Sequence, residues 1–112
     1  MNESLVKYLA GLLDADGALS FAFVKDRAGT GFHMALQMHI KMSSAVDLDG
    51  FVHTLPEITG AGYLHKDSEK VTSWHVNKAS DIERLLPRFI KHMVIKGRHW
   101  HWMLETWRAQ RN

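Results

Sequence analysis

Leu9-Ala10-Gly11-Leu12-Leu13-Asp14-Ala15-Asp16-Gly17 reads as the end of a helix. Leu5, Tyr8, Leu9, Leu12 and Leu13 recur at helical spacing and form an apolar face. Asn2 or Ser4 can cap the start, which places the helix from about Ser4 to Asp14 or Ala15. Gly17 is a natural stop, because glycine enters the left-handed cap conformation at little cost. Two features do not suit an isolated helix. Gly11 and Ala15, four apart, lie one above the other on one side. They leave almost no side chain there, which weakens the helix unless another backbone packs into the gap. Asp14 and Asp16 add negative charge where the macrodipole is already negative. Both costs make sense if two such helices pack through Gly11 and Ala15 and bring their carboxylates together. Carboxylates so paired repel, and are stable mainly with a cation between them.

Working outward, the period changes from helical to two after Gly17. Leu19, Phe21 and Phe23 alternate with Ser20, Ala22 and Val24, a strand with its aromatic face inward. A polar turn, Lys25 to Gly31, leads to a second strand. There Met34, Leu36, Met38, Ile40 and Met42 form one face, and His33, Ala35, Gln37, His39 and Lys41 the other. Ser43 and Ser44 predict the cap of a helix that runs to about Leu55, with Val46 and Leu48 on its apolar face, and Pro56 stops it. Tyr63 to Lys66 and Val71 to Asn77 read as strands, the second with Trp74 and Val76 inward and Ser73, His75 and Asn77 outward. Ser80 caps a helix from about Asp81 to His92, which Pro87 threatens to break. The basic elbow Lys96-Gly97-Arg98 opens a last helix to about Gln110, carrying Trp100, Met103, Leu104 and Trp107. The order αββαββα plus a C-terminal helix makes an α+β fold, a half-saddle built as a single domain over residues 1–112.

Composition excludes several classes. With 112 residues, 46% hydrophobic and 23% charged, the chain suits one globular domain with a modest core that dimerisation would help. It has no cysteine, hence no disulfide framework, thiolate zinc site or cysteine nucleophile. A net charge of +2 permits nucleic-acid binding without demanding it. The sequence contains neither an apolar run of membrane-spanning length nor a secretory leader pattern, so an intracellular protein is expected. His99 and His101 are two apart on a helix and do not face together, so they do not suggest a zinc site.

The polar strand faces carry hydrogen-bonding groups and cations, the composition of a ligand-facing sheet. A twisted antiparallel ribbon can enter the DNA major groove, where base edges show a distinct donor and acceptor pattern. By strand alternation the contacts are Ser20, Gln37, His39, Lys41, His65, Asp67, Ser73, His75 and Asn77. Lys25, Arg27, Lys66 and Lys70, read as turn residues, and Arg98 in the elbow suit phosphates, which position a protein without reading sequence.

The nonapeptide resembles, nearly letter for letter, the signature of the LAGLIDADG homing endonucleases, with Leu13 where the motif has Ile. The element order is similar to that of single-motif members. The resemblance implies a homodimer joined through Gly11, Leu12, Asp14 and Ala15, with double-stranded DNA as partner. It implies that Asp16 is the catalytic metal ligand, that the Ala15 carbonyl also faces metal, and that Asp14 is mainly structural. The metal would be Mg²⁺, or Mn²⁺ or Ca²⁺ in its place. Lys96 best matches the family's lysine near the scissile phosphate; the alternative is a basic elbow touching DNA backbone only. Relatives often carry Gln where this chain has Met42, which cannot orient water, so Lys41 or His39 compensates or activity is reduced. The leading expectation is a site-specific DNA endonuclease for intron or intein homing. The alternatives are a cleavage-poor relative, either an intron RNA maturase or a DNA-binding regulator, and a plain dimeric scaffold.

Overall fold

The structure, a computed structural model, describes residues 1–111. Its elements are α1 (Glu3–Asp16), β1 (Gly17–Lys25), β2 (Phe32–Ser43), a 3₁₀ turn (Phe51–Thr54), α2 (Leu55–Thr59), β3 (Tyr63–Ser68), β4 (Val71–Val76), α3 (Ala79–Ile90) and α4 (Gly97–Arg111). The four strands form one antiparallel sheet in the order β1-β2-β4-β3. The α+β expectation holds.

Residue alternation assigns the two sheet faces. Phe21 opposes Leu36, Leu19 opposes Met38, and Ile40 opposes Trp74. Leu36, Met38, Ile40, Trp74 and Val76 are at most 1% exposed, and on them rest Val6, Leu9, Leu13, Ile82, Leu85, Leu86, Phe89, Trp100 and Trp107 of the long helices. Core burial at roughly 1.5–3 kcal/mol per large apolar side chain dominates what holds these layers together. The other face is left without a covering helix and carries Ser20, Gln37, His39, Lys41, His65 and His75.

Several sequence-based expectations are corrected. The helix expected over residues 44–55 is absent; Ser44 to Val46 make a turn, and Val46 and Leu48 are exposed. Asp47 is the reason. Its carboxylate accepts from the Phe51 N–H (2.7 Å) and the Val52 N–H (3.0 Å), so helical structure starts later. Pro56 consequently lies in the first turn of α2, where its missing N–H does no harm, instead of ending a helix. Pro87 does not break α3, which runs on to Ile90 with Leu86 and Phe89 fully buried on either side. A helix-interior proline costs about 3 kcal/mol, and anchoring those two side chains returns as much. Lys78, not Ser80, stands at the α3 N-cap, and Asn2 caps α1 through the Leu5 N–H at 2.8 Å.

The α1 face is also rotated from the expected one. Val6, Leu9, Ala10 and Leu13 are buried, Leu12 is half-buried, and Tyr8 is exposed with its ring edge-on to Phe51. Phe23 points to the helix side as expected, opposite Met34, yet it is 77% exposed because the hairpin outruns the helices. Gly17 ends α1 in extended geometry (φ −78°, ψ 162°), not in a left-handed cap. Glycine is required there for space: a Cβ would come within 2.7–2.8 Å of the Leu13 oxygen, Cα and Cδ2.

Candidate active site and sheet face

Helix α1 runs directly into β1, so Asp14, Ala15 and Asp16 sit at the seam between the helix layer and the sheet. The two acids have different surroundings. Asp14 is buried and its carboxylate accepts from the backbone N–H groups of Val94 (2.7 Å), Ile95 (2.9 Å) and Lys96 (2.7 Å). Burial pushes its carboxyl upward, but the three amides, joined by the Lys96 charge, hold it below the ordinary carboxylate range. Asp14 therefore ties the segment before α4 to the end of α1. Asp16 is exposed and makes no side-chain hydrogen bond or ion pair among the described residues.

The Asp14 clamp also places Lys96. With its backbone N–H on Asp14, its Nζ donates to the Gly17 carbonyl at 2.7 Å. An ammonium group is thus fixed to the residue that follows Asp16, although the two are far apart in sequence. Arg98 is exposed in the first turn of α4. Gly11 and Ala15 lie on the exposed side of α1, and a Cβ on Gly11 would meet nothing within 4 Å. Among the described residues, no backbone uses that gap. Beside the clamp, the side chains of Val94 and Ile95 are 90% and 78% exposed. Sequence pattern does not point to them, because they fall between the helix expected to about His92 and the basic elbow at Lys96.

On the open sheet face, cross-strand register builds two rows. Ala18, His39, His75 and Tyr63 follow one another across β1, β2, β4 and β3. Lys41, Ser73 and His65 make the next row, and Ser20 pairs with Gln37. The rings of His39 and Tyr63 both stack on His75, with centroids 5.3 Å away, and His65 stands edge-on to it at 6.2 Å. Tyr63 was not among the expected contacts; its place beside His75 follows from β3–β4 register.

Asp67 is the hub of this cluster. It accepts from His65 Nδ1 (2.7 Å), the Ser73 hydroxyl (2.8 Å) and Lys41 Nζ (3.2 Å). These partners, His65 foremost and then Ser73, hold its carboxyl far below the usual range. Burial lowers His39, helped by the Lys41 charge, and burial also lowers His75, helped by His39. Ser73 is fully buried, so its hydroxyl serves the cluster and not the surface.

The remaining expected contacts scatter. Lys66 and Lys25 lie in strands, not turns, and on the helix side by register: Lys66 opposes Thr72, and Lys25 opposes Phe32 at the hairpin end. A bulge between Lys66 and Ser68 lets β3 continue past the Lys66 at which it was expected to end. Arg27 and Lys70 are exposed in turns, as expected. Asn77 falls just past β4 and lines a groove of about 710 Å³ with Phe23, Phe32 and Trp107. Met42 packs toward the core side, opposite Thr72.

An exposed acid at a helix end, an adjacent anchored lysine and an open polar sheet face are the features that this α+β fold brings together. The LAGLIDADG endonuclease profile matches residues 9–104, and the chain belongs to that family. No curated protein sequence matches it significantly. Among solved structures, the homing endonuclease I-CvuI in complex with its target in the presence of calcium superposes with a TM-score of 0.80. Identity is 16%, and the match covers 98% of this chain and 69% of that one. The meganuclease I-SmaMI bound to uncleavable DNA matches with a TM-score of 0.77 at 24% identity, over 94% of this chain and 37% of that chain. The homing endonuclease I-TnaI matches with a TM-score of 0.70 at 16% identity, over 90% and 67%. At such identities the likeness is one of fold.

Proposed function

We propose that the protein is a homodimeric, divalent-metal-dependent endonuclease that cuts double-stranded DNA at a long, pseudo-palindromic site. The observation that carries this reading is the exposed, unpaired Asp16 at the end of the motif helix of a LAGLIDADG family member. I-CvuI and I-SmaMI have been solved on DNA, and the open sheet face of this chain has the donors, acceptors and cations that base edges and phosphates require.

The donor set fits a hard cation. Asp16 offers carboxylate oxygens and Ala15 a backbone carbonyl, both suited to Mg²⁺. Yet the described residues of one chain contain no cluster of three metal-binding acids or histidines. One chain therefore supplies half a site. A second copy, packed through the open Gly11–Leu12–Ala15 stripe, brings a second Asp16 and covers Val94 and Ile95. When bound, a divalent cation supplies water activation and neutralises charge at the leaving oxygen. Asp16 holds that cation, and Asp14 acts through the chain, keeping Lys96 where its ammonium group meets phosphate charge. The work is done where the target DNA lies, inside the cell, and serves homing of an intron or intein.

The test is incubation with a randomised DNA library and Mg²⁺. Cuts at a pseudo-palindrome, lost in Asp16→Asn while binding persists, are the expected result. Tight binding with no cuts in any divalent metal would overturn the nuclease reading. Met42, turned to the core side and unable to orient water, favours a second reading, a DNA-binding regulator or intron RNA maturase. Preference for structured RNA over duplex DNA would identify the maturase.

A further inference from the structure

The cluster around Asp67 does more than furnish generic polar contacts. Asp67 is ionised and has no proton to give, so every neighbour within hydrogen-bond distance must donate to it. The Ser73 hydroxyl, 2.8 Å from Asp67 Oδ1 and 3.2 Å from the His65 carbonyl, therefore spends its one proton on these acceptors, the carboxylate foremost. Ser73 Oγ also lies 2.8 Å from His75 Nε2, and with its proton already committed it can only accept. His75 must then carry its proton on Nε2. Its neutral ring is left with a lone pair on Nδ1. Among the described residues no buried side-chain nitrogen or oxygen lacks a partner, so Nδ1, which has none, faces solvent. The ring cannot swing away, because His39 and Tyr63 stack on it from neighbouring strands.

We propose that His75 reads an amino group on a DNA base, through an Nδ1 acceptor whose tautomer is fixed by the Asp67–Ser73 hydrogen-bond chain. This rests on the DNA-binding reading given above. In the major groove the amino donors are N6 of adenine and N4 of cytosine, whereas guanine and thymine offer acceptors there. A fixed acceptor accordingly selects adenine or cytosine and rejects the others, since two lone pairs would face each other. Asp67 and Ser73 are positioning residues: they touch no base, and they set what His75 can accept.

The charge state of His75 follows from its surroundings. It faces His39 and Lys41 from β2, and Tyr63, His65 and Asp67 from β3. Burial and the nearby histidines disfavour its imidazolium, which keeps Nδ1 an acceptor at neutral pH. In acid, a protonated Nδ1 becomes a donor and the preference turns toward guanine or thymine.

Two measurements on the full chain test this. Long-range ¹H–¹⁵N correlation of the free protein reports histidine tautomers without any DNA. Sequencing of DNA bound from a randomised duplex pool, in Ca²⁺ at pH 8, reports base preference. The wild type should show His75 protonated on Nε2, and one base-pair column per half-site favouring adenine or cytosine by about tenfold. Ser73→Ala should give mixed tautomers and level that column alone. His75→Phe, which keeps the stack and needs no chain, should level the same column even if Ser73→Ala folds poorly. An Nδ1–H tautomer in the wild type overturns the proposal. So does sequence-specific binding in which neither variant changes any column. If the wild type selects no sequence, the base reading falls with the function beneath it, and the tautomer result shows whether the chain itself was correctly read.

Discussion

Gly11 and Gly17 sit six residues apart in one motif and are glycine for opposite reasons. At Gly17 the chain itself fills the space, with Leu13 backbone atoms 2.7–2.8 Å from where a Cβ would stand. Gly17→Ala must push α1 off β1, and should destabilise the protein by roughly 1–3 kcal/mol in urea titrations, as overpacking does. At Gly11 the chain leaves the space open. Gly11→Leu should therefore leave the protomer folded, with unchanged circular dichroism, and abolish the proposed dimer in sedimentation. A dimer that persists in that variant would show that the stripe is not the interface. Asp14 also acts locally. Asp14→Ala strips three backbone amides of their acceptor and should speed hydrogen exchange at residues 94–96. Cleavage should fall with it through displacement of Lys96.

Helices α3 and α4 show how elements are joined beyond the core. Arg108 donates to Glu83 from Nη2 at 2.7 Å and from Nε at 3.1 Å, a forked pair between the two helices. The Glu83 hydrogen bond raises Arg108, and Arg108 lowers Glu83. Both side chains remain more than a third exposed, so solvent screens the pair. A double-mutant cycle with Glu83→Gln and Arg108→Met should return a coupling of roughly 0.5–1 kcal/mol that shrinks as salt is raised. A larger, salt-insensitive value would mean that the pair is desolvated. The loop over residues 44–50 teaches the complementary lesson. Its apolar residues follow helical spacing, yet Asp47 competes for backbone N–H groups and redirects the chain, a local bond that periodicity does not register.

At the scale of the whole molecule, the titrating groups set acid stability. His39 and His75 have lowered values when folded, so folding favours their neutral forms. Stability is then full above their unfolded value of about 6.5 and declines as pH falls below it. The depressed carboxyls of Asp67, Asp14 and Glu83 contribute above the ordinary carboxylate range and lose that contribution as pH drops further. Thermal melts should therefore show Tm declining below about pH 6.5 and again below about pH 4. In His39→Gln/His75→Gln the first decline should flatten and the second remain. A first decline of unchanged size would assign it to other histidines. For a dimer, Tm should also rise with protein concentration, a dependence that Gly11→Leu removes.

Much of the fold was legible because burial imposes periodicity. The helical spacing to Leu13 and the period-two pattern from Leu19 to Met42 fixed element types, their order and the face of the sheet left open. The motif was legible because its small residues and acids defy the rules for an isolated helix. The sequence by itself thus determined the family and the fold class, and singled out Asp16 as the candidate metal ligand. Only the tertiary structure decided that Asp14 binds the amides of residues 94–96, that Lys96 meets the start of β1, that Ser73 is buried, and that Tyr63, His39 and His75 stack. Those facts depend on cross-strand register and on contacts between residues some eighty positions apart. Local spacing carries no record of such pairings, because they are chosen by how whole layers pack.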